Sequence, residues 1–215
     1  MAAYLESVNV GIAKPYGGKG GTSGIDKYPA DAPVRLDVPG YGRSGLAGDA
    51  ICDTPSHGGP DQAAYAYARE DLADWERVLG RSLRGGFFGE NLTTVGLDVD
   101  GALIGETWQV GPEVVLQVTL PRIPCATFQH QLDRPGWVRE FTRHGVPGAY
   151  LRVLVPGEVR GGDPVTVLER PDSEVTVGLA FRAVTLEPEL LPRLVGAPLL
   201  PEKLAEVVAR RVPAG

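Results

Sequence analysis

The sequence predicts a mainly β protein with helices, built as a β-rich body followed by a small helical appendage. Three observations predict it. The 215 residues include 29 glycines and 19 prolines, which interrupt the chain too often for long helices over most of its length. Between these breakers lie short apolar runs such as "EVVLQVTL", the pattern of strands joined by turns. After about residue 173 the glycine-rich turns cease and helical spacing replaces them.

The elements follow in chain order. "YLESVNVGIA" alternates around Val8, Val10 and Ile12 and reads as a strand. "YGGKGGTSGIDKYPADAP" is a polar, glycine-rich loop, "VRLDVPGYG" a short strand, and "GLAGDAICD" leads into the loop "TPSHGGPDQ". The stretch "DQAAYAYAREDLADWERVLG", residues 61 to 80, predicts a helix. Ala64, Tyr67, Leu72, Trp75 and Leu79 recur near helical spacing, Asp61 is placed to cap it, and Gly80 stops it. "GGFFGENLTTVGLD" is loop then strand, and "ALIGETWQVGPEVVLQVTL" is two strands around a Gly-Pro turn. "PGWVREFTRHG" is a short helix from Pro135 to Gly145. "GAYLRVLVPGEVRGGDPVTVLER" gives two more strands about a "GGD" turn. The tail predicts three short helices. The last, "PEKLAEVVARRV", opens on Pro201 and Glu202 and closes on two arginines, in accord with the helix dipole. The β-rich body is placed at residues 1–170 and the appendage at 171–215.

Bulk properties exclude several roles. A net charge of −6 gives the surface as a whole no attraction for nucleic acid or an anionic membrane. The apolar runs are too short to span a bilayer, and the N-terminus lacks the pattern of a signal peptide. With two cysteines in the chain, a reducing cytoplasm is expected. The cysteines form no C-x-x-C pair and the three histidines are scattered, so no structural zinc site is expected.

Four places carry groups suited to chemistry. "GGTSGIDK" offers flexible backbone with Thr22, Ser23 and Lys27 as donors, suited to a phosphate or to a plain surface loop. In "HGGPDQAAYAY", His57 precedes two glycines and the expected helix start, a plausible anion site. In "FFGENLTT", Glu90 and Asn91 either tie down a turn or hydrogen-bond a heterocycle. In "PRIPCATF", Cys125 follows Arg122 by three residues. The guanidinium favours a thiolate, the form that attacks or binds a soft metal; the bland alternative is an inert buried thiol. Cys52, between acidic residues in "DAICD", ranks below Cys125 because carboxylates oppose thiolate formation.

Taken in order, "TSGIDK", "GLAGDAICDTPSHGGPDQAAYAY", "FGENLTTVGLD", "IGETWQVG", "PRIPC" and "GAYLRVLVPGEVRGGD" resemble the MOSC family, the molybdenum cofactor sulfurase C-terminal domain. Within it they are most similar to the YiiM-like branch, the 6-N-hydroxylaminopurine resistance proteins. The resemblance runs over roughly residues 4–170, and the tail resembles the three-helix domain that follows MOSC in this branch. It implies a β-barrel-like body and a molybdenum–pterin cofactor (molybdopterin). It implies Cys125 as the metal ligand and catalytic residue. Thr22, Ser23, Lys27, His57, Asn91 and Arg122 become cofactor or pocket contacts. The implied activity is reduction of N-hydroxylated compounds, such as hydroxylaminopurines, amidoximes and hydroxylamines, to amines, a detoxification. The alternative is a non-catalytic carrier of the cofactor or of sulfur. Two distant cysteines hold no iron–sulfur cluster, so a separate electron-donor protein is implied. Neither nucleic acid nor membrane is an expected partner, and a homodimer is allowed. At family level only, the resemblance also carries an association with pyridoxal phosphate. "QHQLDRPGW" adds no match that assigns substrate contacts.

Overall fold

The computed structural model describes residues 2–17 and 21–212. In chain order the strands are β1 (Tyr4–Gly11), β2 (Lys14–Tyr16), β3 (Gly21–Ser23), β4 (Lys27–Pro29), β5 (Val34–Leu36) and β6 (Ala64–Ala68). They continue with β7 (Leu92–Val95), β8 (Thr107–Val110), β9 (Val114–Pro121), β10 (Ala149–Val155), β11 (Gly157–Val159) and β12 (Val165–Glu169). The helices are α1 (Arg69–Leu79), α2 (Ala126–Leu132), α3 (Trp137–His144), α4 (Val177–Thr185) and α5 (Glu202–Arg211), with tighter 3-10 turns at Pro60–Gln62 and Pro188–Leu194.

Eight strands form one sheet in the order β12-β8-β9-β10-β6-β7-β1-β4. All pairs are antiparallel except β6 with β7. The sheet curls back on itself. Leu5 N donates to Asp163 O at 2.9 Å and Val165 N to Ala3 O at 2.9 Å, so β1 also bonds the chain entering β12. This closure satisfies the strand edges and makes the body a barrel, with β4 as an added outer strand.

Two apolar clusters share the molecule. The first fills the barrel with Leu5, Val8, Leu116, Val118 and Leu151, and takes in the tail through Val177, Ala180, Leu204 and Val208. The second is aromatic and lies outside the barrel, where Trp75, Phe88, Phe128, Trp137 and Phe141 join α1, α2 and α3. Its rings meet edge to face or stacked, as Phe128 on Trp137 at 5.4 Å and Trp75 on Phe141 at 5.8 Å.

β6 is where the structure departs from the sequence reading. Of residues 61–80, only Arg69–Leu79 is α-helical, ended by Gly80 in the left-handed region at φ 65°. "AYAYA" is instead a strand between β7 and β10. Its alternation has a use: Ala64, Ala66 and Ala68 face the barrel core, while Tyr65 and Tyr67 enter the aromatic cluster. Both faces are buried, so no polar residue marks the period of two, and pairing overrides alanine's helical preference. The glycine-rich loop likewise contains β3, β4 and the last residue of β2, and its residues 18–20 lie outside the described ones. α2 was not foreseen, and the middle tail helix is a 3-10 turn containing Pro188 and Pro192.

Candidate functional site

Cys125 stands where β9 hands over to α2. It is the extended residue before the helix, φ −131° and ψ 174°, and α2 is fixed beneath it by Phe128 and Leu132 in the aromatic cluster. Burial pushes the thiol upward. The neighbouring His57 side chain, the Arg122 charge and the Phe128 backbone N–H outweigh it and bring the thiol down to about 7.

Arg122 is 4 % exposed. One guanidinium nitrogen donates to Phe88 O. The group lies over the Phe128 ring at 3.9 Å and the Tyr65 ring at 5.1 Å. Among the described residues its Nε has no hydrogen-bond partner. Burial opposes its charge, the Tyr65 and Tyr150 side chains and the Cys125 thiol lie near it, and among the described residues no carboxylate forms an ion pair with it. A buried cation without a carboxylate is costly unless an anion joins it.

Lys27 is differently placed. Its ammonium is buried against the Asp49 carboxylate. Burial lowers its affinity for the proton and Asp49 opposes that. Asp49 also accepts from Ser44 Oγ at 2.7 Å, Gly11 N at 2.8 Å and Asn91 Nδ2 at 3.0 Å. Asn91 Nδ2 donates to Asn9 O as well, at 3.2 Å, and its Oδ1 accepts from Tyr65 N at 3.1 Å. Lys27 and Asn91 therefore brace the wall, the ammonium paired with Asp49 and the Asn91 amide bonded at both its oxygen and its nitrogen. Glu90, fully buried, accepts from Gly86 N at 2.6 Å, Phe88 N at 3.0 Å and Thr93 Oγ1 at 3.1 Å. Of the two roles open to it in the sequence, it ties the turn, and that turn presents Phe88 O to Arg122.

His57 Nδ1 lies 3.3 Å from Tyr150 Oη. A short 3-10 turn, Pro60–Gln62, follows it, and the α-helix begins only at Arg69. The Asp61 carboxylate pairs with Arg152 at 2.5 Å rather than capping a helix. In the glycine-rich loop, Ser23 Oγ accepts from Ile25 N at 3.2 Å and Thr22 is exposed. A Cβ at Gly24 would overlap the Ala50 carbonyl oxygen, which is why this loop can lie flat on the segment leading to Cys52.

Thr22, Ser23, Lys27, His57, Asn91, Arg122 and Cys125 all line one cavity of about 120 Å³. Sequence reasoning missed Tyr65, Tyr150 and Gln62, which line it too, and Asp49 behind Lys27. Asp49 lay within "GLAGDAICD", but nothing local distinguishes that acid from Asp53. Cys52 also faces the cavity. A second cavity of about 450 Å³ meets the first at His57, Cys125 and Tyr150 and runs beneath α5.

Among the described residues no group of three or more His, Cys, Asp or Glu forms a metal cage. A metal at this place would take Cys125 and ligands from outside the protein. The donor set suits a soft metal carried by an anionic organic group: one readily ionised thiol, one buried guanidinium open to an anion, and a loop of small residues pressed close.

Comparison with known proteins gives concordant findings. Residues 53–166 match the family model described as MOSC domain. The uncharacterized protein YflK of Bacillus subtilis is 36% identical over 179 residues, covering 81% of this chain and 78% of that protein. A protein of Gibberella moniliformis described as a reductase is 32% identical over 153 residues, and the chain spans 26% of its length. The crystal structure of YiiM from Geobacillus stearothermophilus superposes with a TM-score of 0.79 at 27% identity, covering 98% of this chain and 100% of that one.

Proposed function

The chain belongs to the MOSC domain family, in its YiiM-like branch, and from that premise we propose that it is a molybdenum-cofactor-dependent reductase of N-hydroxylated compounds. The observation that carries the proposal is a single juxtaposition. A thiol brought to about 7 and a buried guanidinium that has no carboxylate partner among the described residues line the same cavity. The printed name of the Gibberella relative supports reductase chemistry only in general terms, since the chain spans 26% of that protein.

When bound, the cofactor would supply the two-electron redox chemistry that an N–O bond reduction needs. The remaining tasks fall to residues of this chain. Cys125 Sγ is the protein ligand to the metal. Arg122, with donors from Thr22 and Ser23, holds the anionic part of the pterin. The Lys27–Asp49 pair and Asn91 keep the wall in place behind them, as supporting groups do around metal sites. His57 Nδ1 and Tyr150 Oη, within reach of each other and beside Cys125, pass protons toward the departing oxygen. The balance is R–NH–OH plus two electrons and two protons to R–NH2 plus water. The electrons come from a separate donor protein. A reducing compartment such as the cytoplasm suits Cys52 and Cys125, which are both free thiols.

The test is to purify the protein from a molybdenum-replete host, measure metal and pterin, and assay amidoxime and hydroxylamine reduction with an artificial electron donor. Turnover by molybdenum-loaded protein is expected. Loaded protein that reduces no N-hydroxylated compound overturns the proposal, and transfer of its cofactor to an apo-enzyme identifies a carrier instead.

A further inference from the structure

The two cavities that meet at Cys125 differ in chemistry. The smaller holds the buried guanidinium and the small-residue loop. The larger, at about 450 Å³, is walled mainly by apolar groups, among them Leu120, Ile123, Pro124, Val184, Leu204 and Val207. Its charged groups are Lys203 and Arg210 against Asp53 and Glu206, two of each sign, so nothing in it selects a net charge.

The outer wall comes from the tail. α5 contributes Lys203, Leu204, Glu206, Val207 and Arg210. It is held in place at both ends. Lys203 Nζ donates to Gln62 Oε1 at 3.2 Å, and Arg211 Nη1 to Val184 O at 2.8 Å. The contact with Gln62 fastens α5 to the same short turn that borders the smaller cavity.

Building on the reductase reading, we infer that the larger cavity is the substrate chamber and that α5, together with Ile123, determines which substrates enter. The chamber suits an uncharged N-hydroxylated compound with a sizeable apolar or aromatic body. Pockets of this volume hold molecules well above the size of hydroxylamine, and an apolar wall rewards each carbon buried against it. The N–OH end reaches Cys125 and His57 at the junction, while the body lies under α5.

The test uses molybdenum-loaded protein, wild type beside Val207→Trp and Ile123→Trp, which fill the chamber from α5 and from the segment before Cys125. Two readouts are taken: kcat/KM for benzamidoxime relative to hydroxylamine, and calorimetric binding of benzamidoxime. The ratio is expected to fall about tenfold or more in each variant, with binding weakened to a similar degree. If either variant fails to retain molybdenum, the other decides. An unchanged ratio and affinity in an active, loaded variant overturns the chamber and leaves the reductase reading intact. Loaded wild-type protein that reduces neither compound overturns that reading, and the chamber falls with it.

Discussion

The imidazole Nδ1 of His57 lies 3.3 Å from the Tyr150 hydroxyl, and both side chains, like Cys125, line the two cavities where they meet. The loop before β6 and the strand β10, 93 residues apart in sequence, are thus joined at the reactive thiol.

The first prediction concerns that thiol. In cofactor-free protein, Cys125 alkylation by iodoacetamide is expected to have its midpoint near pH 7, where burial, His57 and Arg122 together bring it. His57→Ala removes one of the groups opposing burial, so the midpoint rises. The sign for stability follows. The folded thiol ionises more readily than the unfolded one, so its contribution is full above the unfolded value near 9 and is lost as pH falls through about 7. Site-resolved mass spectrometry across pH measures the midpoint, and an unmoved midpoint in His57→Ala counts against His57's role.

Arg122→Met separates binding from folding. Replacing a buried, uncompensated charge with an apolar chain of similar length is expected to change unfolding free energy by no more than about 2 kcal/mol in cofactor-free protein. Molybdenum content is expected to fall about tenfold or more, the scale seen when a supporting group of a metal site is lost. Denaturant unfolding and metal analysis give the two numbers. Undiminished molybdenum in the variant removes Arg122 from the site.

Lys27 and Asp49 are expected to behave as a unit. Asp49→Ala leaves the Lys27 ammonium buried without its partner and deprives Ser44, Asn91 and Gly11 of an acceptor. A loss of about 3–5 kcal/mol is expected. The double change Lys27→Met with Asp49→Leu should recover a large part of it. Urea unfolding of the two variants checks this, and equal losses would mean that the pair is not coupled.

Gly24→Ala tests the close approach of the glycine-rich loop. The added methyl overlaps the Ala50 carbonyl oxygen, so the loop must lift. A cost of about 1–3 kcal/mol is expected, the range for overpacking, together with reduced molybdenum content. Wild-type stability in this variant would show that the loop is free to move.

Much of this arrangement was legible in the sequence, for identifiable reasons. Thr22, Ser23, His57, Arg122 and Cys125 lie in short motifs whose side chains announce donors, a charge and a thiol, and all of them reach one cavity. The longer strands followed from apolar runs between breakers, whereas the three-residue β3 and β4 lay in a stretch read as loop and β11 in one read as two strands. β6 did not, because "AYAYA" is buried on both faces and flows into a true helix, leaving only alanines and tyrosines to mark its period. The partners of the motifs were also hidden. Nothing near Lys27 reveals that Asp49 neutralises it 22 residues on, and nothing near His57 points to Tyr150. The wall provided by α5 is a matter of tertiary packing, since its helical pattern fits a solvated appendage equally well.

The most direct test is the molybdenum and pterin content of wild-type protein beside Cys125→Ala, both purified from the same molybdenum-replete host. If Cys125 is the metal ligand, wild type carries both and the variant loses molybdenum at least about tenfold. Equal molybdenum in the two proteins would contradict it.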